Sequence, residues 1–300
     1  MCSTMSNELR LIIVSGLSGS GKSVALHVLE DLGYNCIDNL PAALLESAVA
    51  EVRSHRKDSA NLLAVGVDAR ARSKDLQSLP ELLLELREKD VLTEIIFLHA
   101  SDDILLQRYS ESRRRHPLAE RGTELLAAIE SEREILAEIH NSADLIIDTS
   151  QMSIYELADV IRGRVDHRES DSLSVLIQSF GFKYGIPADA DFVFDLRSLP
   201  NPYWTLKLRG LTGLDKEVSE FLNDQPNFVS MFEDIRKFLG RWIPHYQESH
   251  RGYLTVAIGC TGGKHRSVCM TEKLASSLRK KHDPVLIRHN SLTGHRLNPE

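Results

Sequence analysis

One motif near the start of the chain constrains the fold more than any other feature. Residues 16–23 match the phosphate-binding pattern G-x-x-x-x-G-K-[ST], with an apolar run before them at 11–14 and helical spacing after them at 24–32. A strand, a glycine-rich loop and a helix in this order direct backbone N–H groups and a helix N-terminus at an anion. We therefore predict that a nucleoside triphosphate binds to Gly16, Leu17, Ser18, Gly19, Ser20, Gly21, Lys22 and Ser23.

The side chains of this motif predict its chemistry. Lys22 is placed to reach the β- and γ-phosphates, and the Ser23 hydroxyl to hold Mg²⁺. Such a metal site also uses a carboxylate at the end of a neighbouring strand, and Asp68 and Asp38 both follow apolar runs. Because the run before Asp68 is longer, we predict Lys22, Ser23 and Asp68 as the catalytic residues, with the last two on the metal. A cap on a helix or turn is the alternative role for either aspartate.

Arginines that follow the predicted strands are candidates for phosphate contacts. Arg70 comes just after a strand-ending aspartate and could bind phosphate through two N–H groups. A second group, after the apolar run at 95–98, comprises Arg108, Arg113, Arg114 and Arg115. In P-loop kinases such arginines sit on a lid, whereas a solvated helix face explains the same pattern and is the interpretation we prefer.

Short apolar runs alternate with helical segments along most of the chain. Such runs, bounded by glycine or aspartate, are typical of parallel strands covered by helices on both faces. The helical segments include 42–53 and 123–140, and the composition turns polar and charged around 163–174. We predict an α/β fold, with a P-loop domain on a parallel sheet over residues 8–165 and a second, smaller α/β domain over residues 172–300.

A second glycine-rich loop lies between a predicted strand and a predicted helix. Its residues are Gly259, Cys260, Thr261, Gly262, Gly263, Lys264, His265, Arg266 and Ser267. Glycines, hydroxyls and adjacent cations at a helix N-terminus predict binding of a phosphate, a sugar phosphate or an RNA backbone. Cys260 and Arg266 also fit C-x5-R-S, the spacing of cysteine-dependent phosphatases, whose thiolate attacks phosphorus. That mechanism needs an acid, for which Asp215 is our candidate.

Charge and cysteine content narrow the class of partner. The net charge of −7 argues against a chain that is basic throughout, yet residues 251–300 carry nine Lys/Arg and three Asp/Glu. This basic segment predicts an anionic partner, with a solvated helix face as the alternative. Four cysteines without a C-x-x-C pair indicate reduced thiols in the cytoplasm. No apolar run reaches the length of a membrane span.

Several further motifs occur in one order along the chain. They are Asp38-Asn39-Leu40-Pro41, Ser179-Phe180-Gly181-Phe182-Lys183, Asp195-Leu196-Arg197, Asn201-Pro202 and the loop 259–267. Together with the P-loop they make the sequence resemble the RapZ/YvcJ family of bacterial P-loop nucleotide-binding proteins, whose best-known branch comprises RNase adapter proteins. The resemblance covers nearly the whole chain.

This resemblance implies more than the spacing of the residues does. It implies binding of ATP and GTP, weak ATPase and GTPase activity, and an ATP site at 16–23. The GTP site would consist of Asp68, Ala69, Arg70 and Ala71. In the adapter branch the C-terminal domain binds small regulatory RNA and an amino-sugar phosphate, and presents RNA to an endoribonuclease. This chain departs from that branch at Tyr203, where the branch has histidine, and at residues 291–300, which lack its dense Lys/Arg ending.

The leading prediction is a cytoplasmic, nucleotide-binding regulatory protein that hydrolyses ATP or GTP slowly with Mg²⁺. Its C-terminal domain is expected to bind RNA, a sugar phosphate or both. We also expect a homo-oligomer, a protein partner and no membrane association. A small-molecule P-loop kinase is the alternative, because the P-loop and the arginine group fit that class as well.

Overall fold

The computed structural model describes residues 9–54, 61–70, 76, 78–112, 115–119, 124–165, 173–249 and 251–292 of the 300-residue chain. The chain divides into two compact units, residues 1–162 and 163–300. The limits 8–165 and 172–300 stay predictions, because the segment between them lies outside the described residues. The described residues also exclude Ala71, Arg113 and Arg114, so the roles expected of them stay predictions.

Five parallel strands form the sheet of the first unit, as far as the structure describes it. They are β1 (Leu9–Gly16), β2 (Asn35–Ile37), β3 (Leu62–Gly66), β4 (Val91–His99) and β5 (Leu145–Asp148). Their order is β2-β3-β1-β4-β5, so the strand that leads into the P-loop is central. Leu11, Ile13 and Val65 are fully buried, as strands covered on both faces require. The predicted parallel α/β fold is confirmed.

The helices of this unit differ from the sequence-based expectation at two places. The described helices are α1 (Lys22–Asp31), α2 (Leu45–Ser54), α3 (Leu79–Glu88), α4 (Asp102–Ser112), α5 (Leu125–Ile135), α6 (Ala137–Asn141) and α7 (Ile154–Val165). The segment predicted at 42–53 opens with a 3₁₀ turn (Ala42–Leu44) before α2. The helix predicted at 123–140 is divided, because Leu136 leaves helical geometry at φ −91° and ψ 3°.

The second unit is built on a four-stranded parallel sheet within the described residues. Its strands are β6 (Ser174–Gly181), β7 (Phe192–Asp195), β8 (Tyr253–Cys260) and β9 (Val285–His289). The order is β7-β8-β6-β9, and every residue of β6 and β8 is buried. Burial on both faces explains why neither of these two strands contains a charged residue.

Three helices accompany the second sheet in the part of the chain that the structure describes. They are α8 (Lys216–Asn223), α9 (Pro226–Glu248) and α10 (Arg266–Leu278). Helix α10 contacts β6, β8 and β9, with Val268, Met270 and Leu274 fully buried. None of the described helices combines the length and apolarity that crossing a membrane requires.

Parallel pairing brings the carboxyl ends of the strands to one edge in each sheet. In the second sheet Gly181 pairs with Cys260, and Asp195 pairs with Gly259. In the first sheet the P-loop begins at the end of β1, between β3 and β4. Sites in parallel α/β sheets form at this edge, and both glycine-rich loops lie there.

Replacing Gly16 with alanine is expected to destabilise the first unit. Gly16 has φ +142°, and an added Cβ would lie 2.2 Å from the backbone oxygen of Leu98. The unfavourable φ costs about 1–3 kcal/mol, and the backbone of a central strand pair cannot retreat from the new atom. Chemical denaturation of the full chain should show a reduced free energy of unfolding.

Gly33→Ala is the matched control for this variant. Gly33 also has a positive φ, +88°, but no described atom lies within 4 Å of the Cβ it would gain. The alanine variant at this position therefore has the backbone strain of a positive φ, about 1–2 kcal/mol, without a steric clash. Equal losses in the two variants would show that the close approach at Leu98 is unimportant.

Candidate functional site

The P-loop is held in shape by its own backbone and by β4. The Leu17 amide donates to the Leu98 oxygen at 3.2 Å, and the Ser20 amide donates to the Leu17 oxygen at 3.0 Å. Gly21, with φ +110°, directly precedes α1. A glycine adopts this conformation at low cost and lets the chain turn sharply into the helix, whose first N–H groups have no partner within the helix.

Lys22 extends back across the loop. Its Nζ donates to the Gly16 carbonyl oxygen at 2.6 Å. Burial lowers the pKa of Lys22 below its ordinary value, and nearby carboxylates act in the opposite direction. Those carboxylates belong to Glu132, Asp68 and Asp38. The ammonium group thus lies against the backbone of the loop, close to the carboxylates of two strand ends and of Glu132.

A cavity of about 470 Å³ opens beside the loop. This volume lies within the range of about 300–1,000 Å³ that is usual for small-molecule sites. Its charged and hydroxyl lining includes Ser18, Lys22, Ser23, Asp38, Asp68 and Arg70. The structure therefore brings the P-loop residues, both candidate aspartates and Arg70 to one site.

Asp68 and Arg70 are paired with each other at the wall of this cavity. One Asp68 oxygen accepts from the Arg70 amide at 2.9 Å, and the other accepts from the guanidinium Nε at 2.8 Å and Nη2 at 2.5 Å. Burial raises the pKa of Asp68, but these hydrogen bonds and the charge of Arg70 outweigh it and hold the pKa below its ordinary value. Ala69, between them, is buried in the apolar core.

The oxygen atoms at this site are suitable ligands for Mg²⁺. Ser23, Asp38 and Asp68 line the same cavity and offer one hydroxyl and two carboxylates. Magnesium prefers oxygen ligands and is commonly held by one or two carboxylates together with phosphate oxygens and water. Among the described residues no group of three or more His, Cys, Asp or Glu side chains forms a metal cage. The residues thus fit an ion that is bound together with phosphate.

Arg108 is attached to the P-loop and does not lie on a solvated face. Its guanidinium donates to the Gly19 oxygen at 2.9 Å and to the Thr149 oxygen at 2.7 Å. Burial lowers its pKa. The Thr149 hydroxyl in turn lies 2.9 Å from the Ser20 oxygen. Arg115, from the same group of arginines, lines the cavity.

Glu132 is the residue of this site that the sequence motifs do not reveal. Its carboxylate accepts from the Ser18 amide at 2.8 Å and the Ser18 hydroxyl at 2.6 Å, and lies 3.1 Å from His116 Nε2. The side chain is completely buried. Burial raises the pKa of Glu132, but the hydrogen bonds from His116 and Ser18 overcome this and keep it below its ordinary value.

A signal for Glu132 exists in the sequence of α5 and α6. Ile129, Leu136 and Ile139 are fully buried, and Glu132 follows the first of them by three residues. This i, i+3, i+7 spacing describes one helix face. A glutamate in the middle of an apolar helix face must have a buried partner, and here that partner is the P-loop.

Glu132→Gln is expected to change how the stability of the protein depends on pH. The folded-state pKa of Glu132 is lowered, so its ionised form stabilises the fold above the unfolded pKa of about 4.3. This contribution is lost as the pH falls through the lower, folded pKa. Urea titrations from about pH 3 to about pH 7 should show that the variant loses less unfolding free energy on acidification than the wild type.

The alanine variant of the same residue tests the hydrogen bonds themselves. Glu132→Ala leaves the Ser18 amide and hydroxyl without their buried acceptor, which costs about 1–3 kcal/mol for each unsatisfied group. Glu130→Ala, on the same helix, is the control. If both variants unfold at the same urea concentration as the wild type, the carboxylate does not anchor the loop.

The second loop, residues 259–267, joins β8 to α10 around a buried cysteine and a buried arginine. Cys260 Sγ lies 3.2 Å from the Ser267 hydroxyl. Arg266 Nη1 donates to the carbonyl oxygens of Arg197 at 3.0 Å and Leu199 at 2.8 Å. The structure thus brings together the cysteine, arginine and serine of the C-x5-R-S pattern.

Side chains around this loop carry further charge. Arg197 pairs with Asp195, its Nη2 lying 2.7 Å from Asp195 Oδ2. Asp215 accepts from the amide of Thr212 at 2.6 Å and from its hydroxyl at 2.9 Å, and these bonds lower the pKa of Asp215. His265 is buried, with a pKa lowered chiefly by that burial.

Known proteins resemble this chain over nearly its full length. Residues 9–169 match the family model of the RapZ-like N-terminal domain, and residues 173–293 match that of the RapZ C-terminal domain. A nucleotide-binding protein of Hahella chejuensis is 49% identical over 284 residues, which cover 95% of this chain and 99% of that protein. A nucleotide-binding protein of Halorhodospira halophila is 51% identical over 285 residues, with coverage of 95% and 99%.

Two solved structures match about half of the chain more distantly. Shikimate kinase from Bacteroides thetaiotaomicron aligns with a TM-score of 0.34 and 17% identity, over 53% of this chain and 98% of the kinase. A gluconokinase from Sinorhizobium meliloti aligns with a TM-score of 0.33 and 19% identity, over 51% and 89%. The models of both domains match in sequence order, and the two relatives match over nearly the full length of the chain. This chain therefore belongs to the RapZ-like family.

Proposed function

We propose that this chain binds a nucleoside triphosphate in the cavity beside residues 16–23 and hydrolyses it slowly. The observation that carries the proposal is the P-loop, which follows the central strand β1 and places Lys22 and Ser23 in the first turn of α1. The name of the two relatives, nucleotide-binding protein, supports the same assignment.

In the proposed complex each residue has a distinct role. The loop N–H groups and Lys22 hold phosphate oxygens, and Ser23 with Asp68 or Asp38 holds Mg²⁺. The ion, when bound, neutralises charge on the β- and γ-phosphates. Asp68 is a weak base, because its pairing with Arg70 lowers its pKa. A weak base activates water poorly, which supports slow hydrolysis.

ATP and GTP are proposed to compete for one cavity. The resemblance assigns ATP to residues 16–23 and GTP to residues 68–71, two segments that are separate in sequence. Asp68 and Arg70 nevertheless line the same cavity as Lys22 and Ser23. A nucleotide held by either segment would therefore occupy space that the other needs.

Lys22→Ala is expected to weaken ATP binding by about 10- to 100-fold, the loss that one charge-assisted hydrogen bond of about 1.5–3 kcal/mol predicts. Filter binding with labelled ATP and Mg²⁺ measures this loss, and unlabelled GTP should displace the label from the wild type. Lys264→Ala, in the second unit, is the control and should keep full affinity. Unchanged binding by Lys22→Ala would refute the proposed site.

A small-molecule kinase is the competing activity at this site. Two arginines favour it, since kinases place arginines near the transferred phosphate: Arg115 lines the cavity, and Arg108 on α4 donates to the loop at Gly19. Screening phosphoryl acceptors decides between a kinase and a slow hydrolase. A kinase consumes ATP in proportion to one acceptor, whereas slow hydrolysis of ATP is independent of every acceptor.

A cytoplasmic location, a protein partner and a homo-oligomer stay predictions.

A second binding function is proposed for the loop 259–267, with a sugar phosphate or the backbone of a small RNA as ligand. Lys264 is exposed at the loop, and Arg266 and His265 are buried beside it. On the same unit Trp204 is exposed, and Arg209 lies over the ring of Tyr203 at 4.8 Å. Exposed aromatic rings next to cations are surfaces on which unpaired bases stack.

RNA binding of this kind should weaken steeply with salt. Each phosphate contact contributes a slope of about −0.7 in a plot of log affinity against log salt for single strands. Gel shifts with a structured small RNA should give a less steep slope for Lys264→Ala than for the wild type, by about the contribution of one phosphate contact. Lys280→Ala, two residues beyond the C-terminal end of α10, is the control. Absence of a shift at low salt would rule out RNA as the ligand.

A further inference from the structure

The loop 259–267 surrounds the thiol of Cys260 with hydrogen-bond donors. The Ser267 hydroxyl lies 3.2 Å from Sγ, and the backbone N–H groups of Ser267 and Gly263 also bond to it. The thiol stands at the end of β8, and α10 starts at Arg266, so the positive end of the helix lies beside the sulfur. This environment stabilises a thiolate.

The guanidinium of Arg266 is oriented so that one edge is left for an anion. Its Nη1 is used by the carbonyl oxygens of Arg197 and Leu199, and Nη2 donates to the Thr261 hydroxyl at 3.2 Å. Nε is buried and has no hydrogen-bond partner among the described residues. A buried donor without a partner is costly, and the Nε–Nη2 edge is the one that binds an oxyanion through two parallel bonds.

The neighbouring His265 does not add a second unpartnered donor. It is 8% exposed, and its ring is held by hydrogen bonds to the backbone at Leu208 and Leu211. The buried Nε of Arg266, at the N-terminus of α10, is therefore the nitrogen in this loop that indicates a bound group rich in oxygen, such as a phosphoryl group.

Two buried cysteines of this unit differ in their acidity. Cys260 and Cys269 are each 3% exposed. Burial raises the pKa of Cys260, yet the bonds from Ser267 and the charge of Arg266 leave it lower than usual. Burial raises the pKa of Cys269 as well, and there the raised value prevails. Burial acts in the same direction on both thiols, so the hydrogen bonds and the charge around Cys260 account for the difference in pKa between the two.

We propose that Cys260 is a nucleophile that accepts a phosphoryl group from a phosphate monoester or phosphoanhydride bound in the loop 259–267. The inference deepens the anion-binding function proposed above and rests on it. The sulfur attacks phosphorus, an S–P bond forms, and the P–O bond to the leaving group breaks, with the electron pair departing on that oxygen. Water then attacks phosphorus, the S–P bond breaks, and thiolate and dihydrogen phosphate are released.

The carboxylates near the loop define the class of substrate. Asp215 accepts two hydrogen bonds from Thr212, and Asp195 is paired with Arg197. Both are thus held as carboxylates and not as acids. A leaving group must then depart without receiving a proton, which selects aryl phosphates, acyl phosphates and anhydrides over sugar phosphate esters. A sugar phosphate would bind to the loop and inhibit.

The test uses the full-length protein with p-nitrophenyl phosphate and a chelator of Mg²⁺, which silences the P-loop site. A denaturing quench followed by peptide mass analysis should find one phosphoryl group on the Cys260 peptide. Release of p-nitrophenol should fall by about 100-fold or more in Cys260→Ser and stay at the wild-type rate in Cys269→Ser. Inorganic phosphate should slow alkylation of Cys260 by iodoacetamide in the wild type.

The outcomes separate the two proposals about this loop. Protection by phosphate without a phosphoryl adduct overturns the transfer step and leaves anion binding intact. Absence of both protection and adduct overturns both. An adduct on any other residue, or equal rates in Cys260→Ser and the wild type, also refutes the role of Cys260. The phosphoryl adduct is measured on the wild type. The test therefore stays decisive even if the Cys260→Ser variant fails to fold.

Discussion

Parallel strand pairing is the constraint on which both halves of this protein depend. Because neighbouring strands run in the same direction, their carboxyl ends reach one edge of each sheet, and the chain must leave that edge through loops. In the first unit β1 ends in the P-loop; in the second, β8 ends in the loop 259–267. Each loop then enters a helix, and the unpaired N–H groups of that helix face the same edge.

Buried polar side chains fix the conformation of each loop. In the first unit Glu132 accepts two hydrogen bonds from Ser18, and in the second Arg266 donates to two backbone oxygens of the segment after β7. A buried polar atom without a partner is costly, so these hydrogen bonds hold the backbone of each loop in place. Contacts from other segments of the same unit therefore shape both loops.

Local patterns in the sequence predicted the fold well and the site in part. The P-loop, the parallel sheets and the α/β class follow from a motif and from apolar runs. Each of these signals lies within a segment of about 20 residues. The contact between Ser18 and Glu132 spans 114 positions, so no local motif reveals it. The pairing of Asp68 with Arg70 depends on the backbone path after β3, which the residue types alone do not specify.

The separation between Ser18 and Glu132 has a consequence for how the protein matures. During synthesis residues 16–23 leave the ribosome long before α5, so the loop exists while its buried acceptor has not yet been made. Strand β4, whose Leu98 oxygen accepts from Leu17, is also made later. The hydrogen bonds that hold the P-loop to Leu98 and Glu132 can therefore form only after both of these later segments have been made.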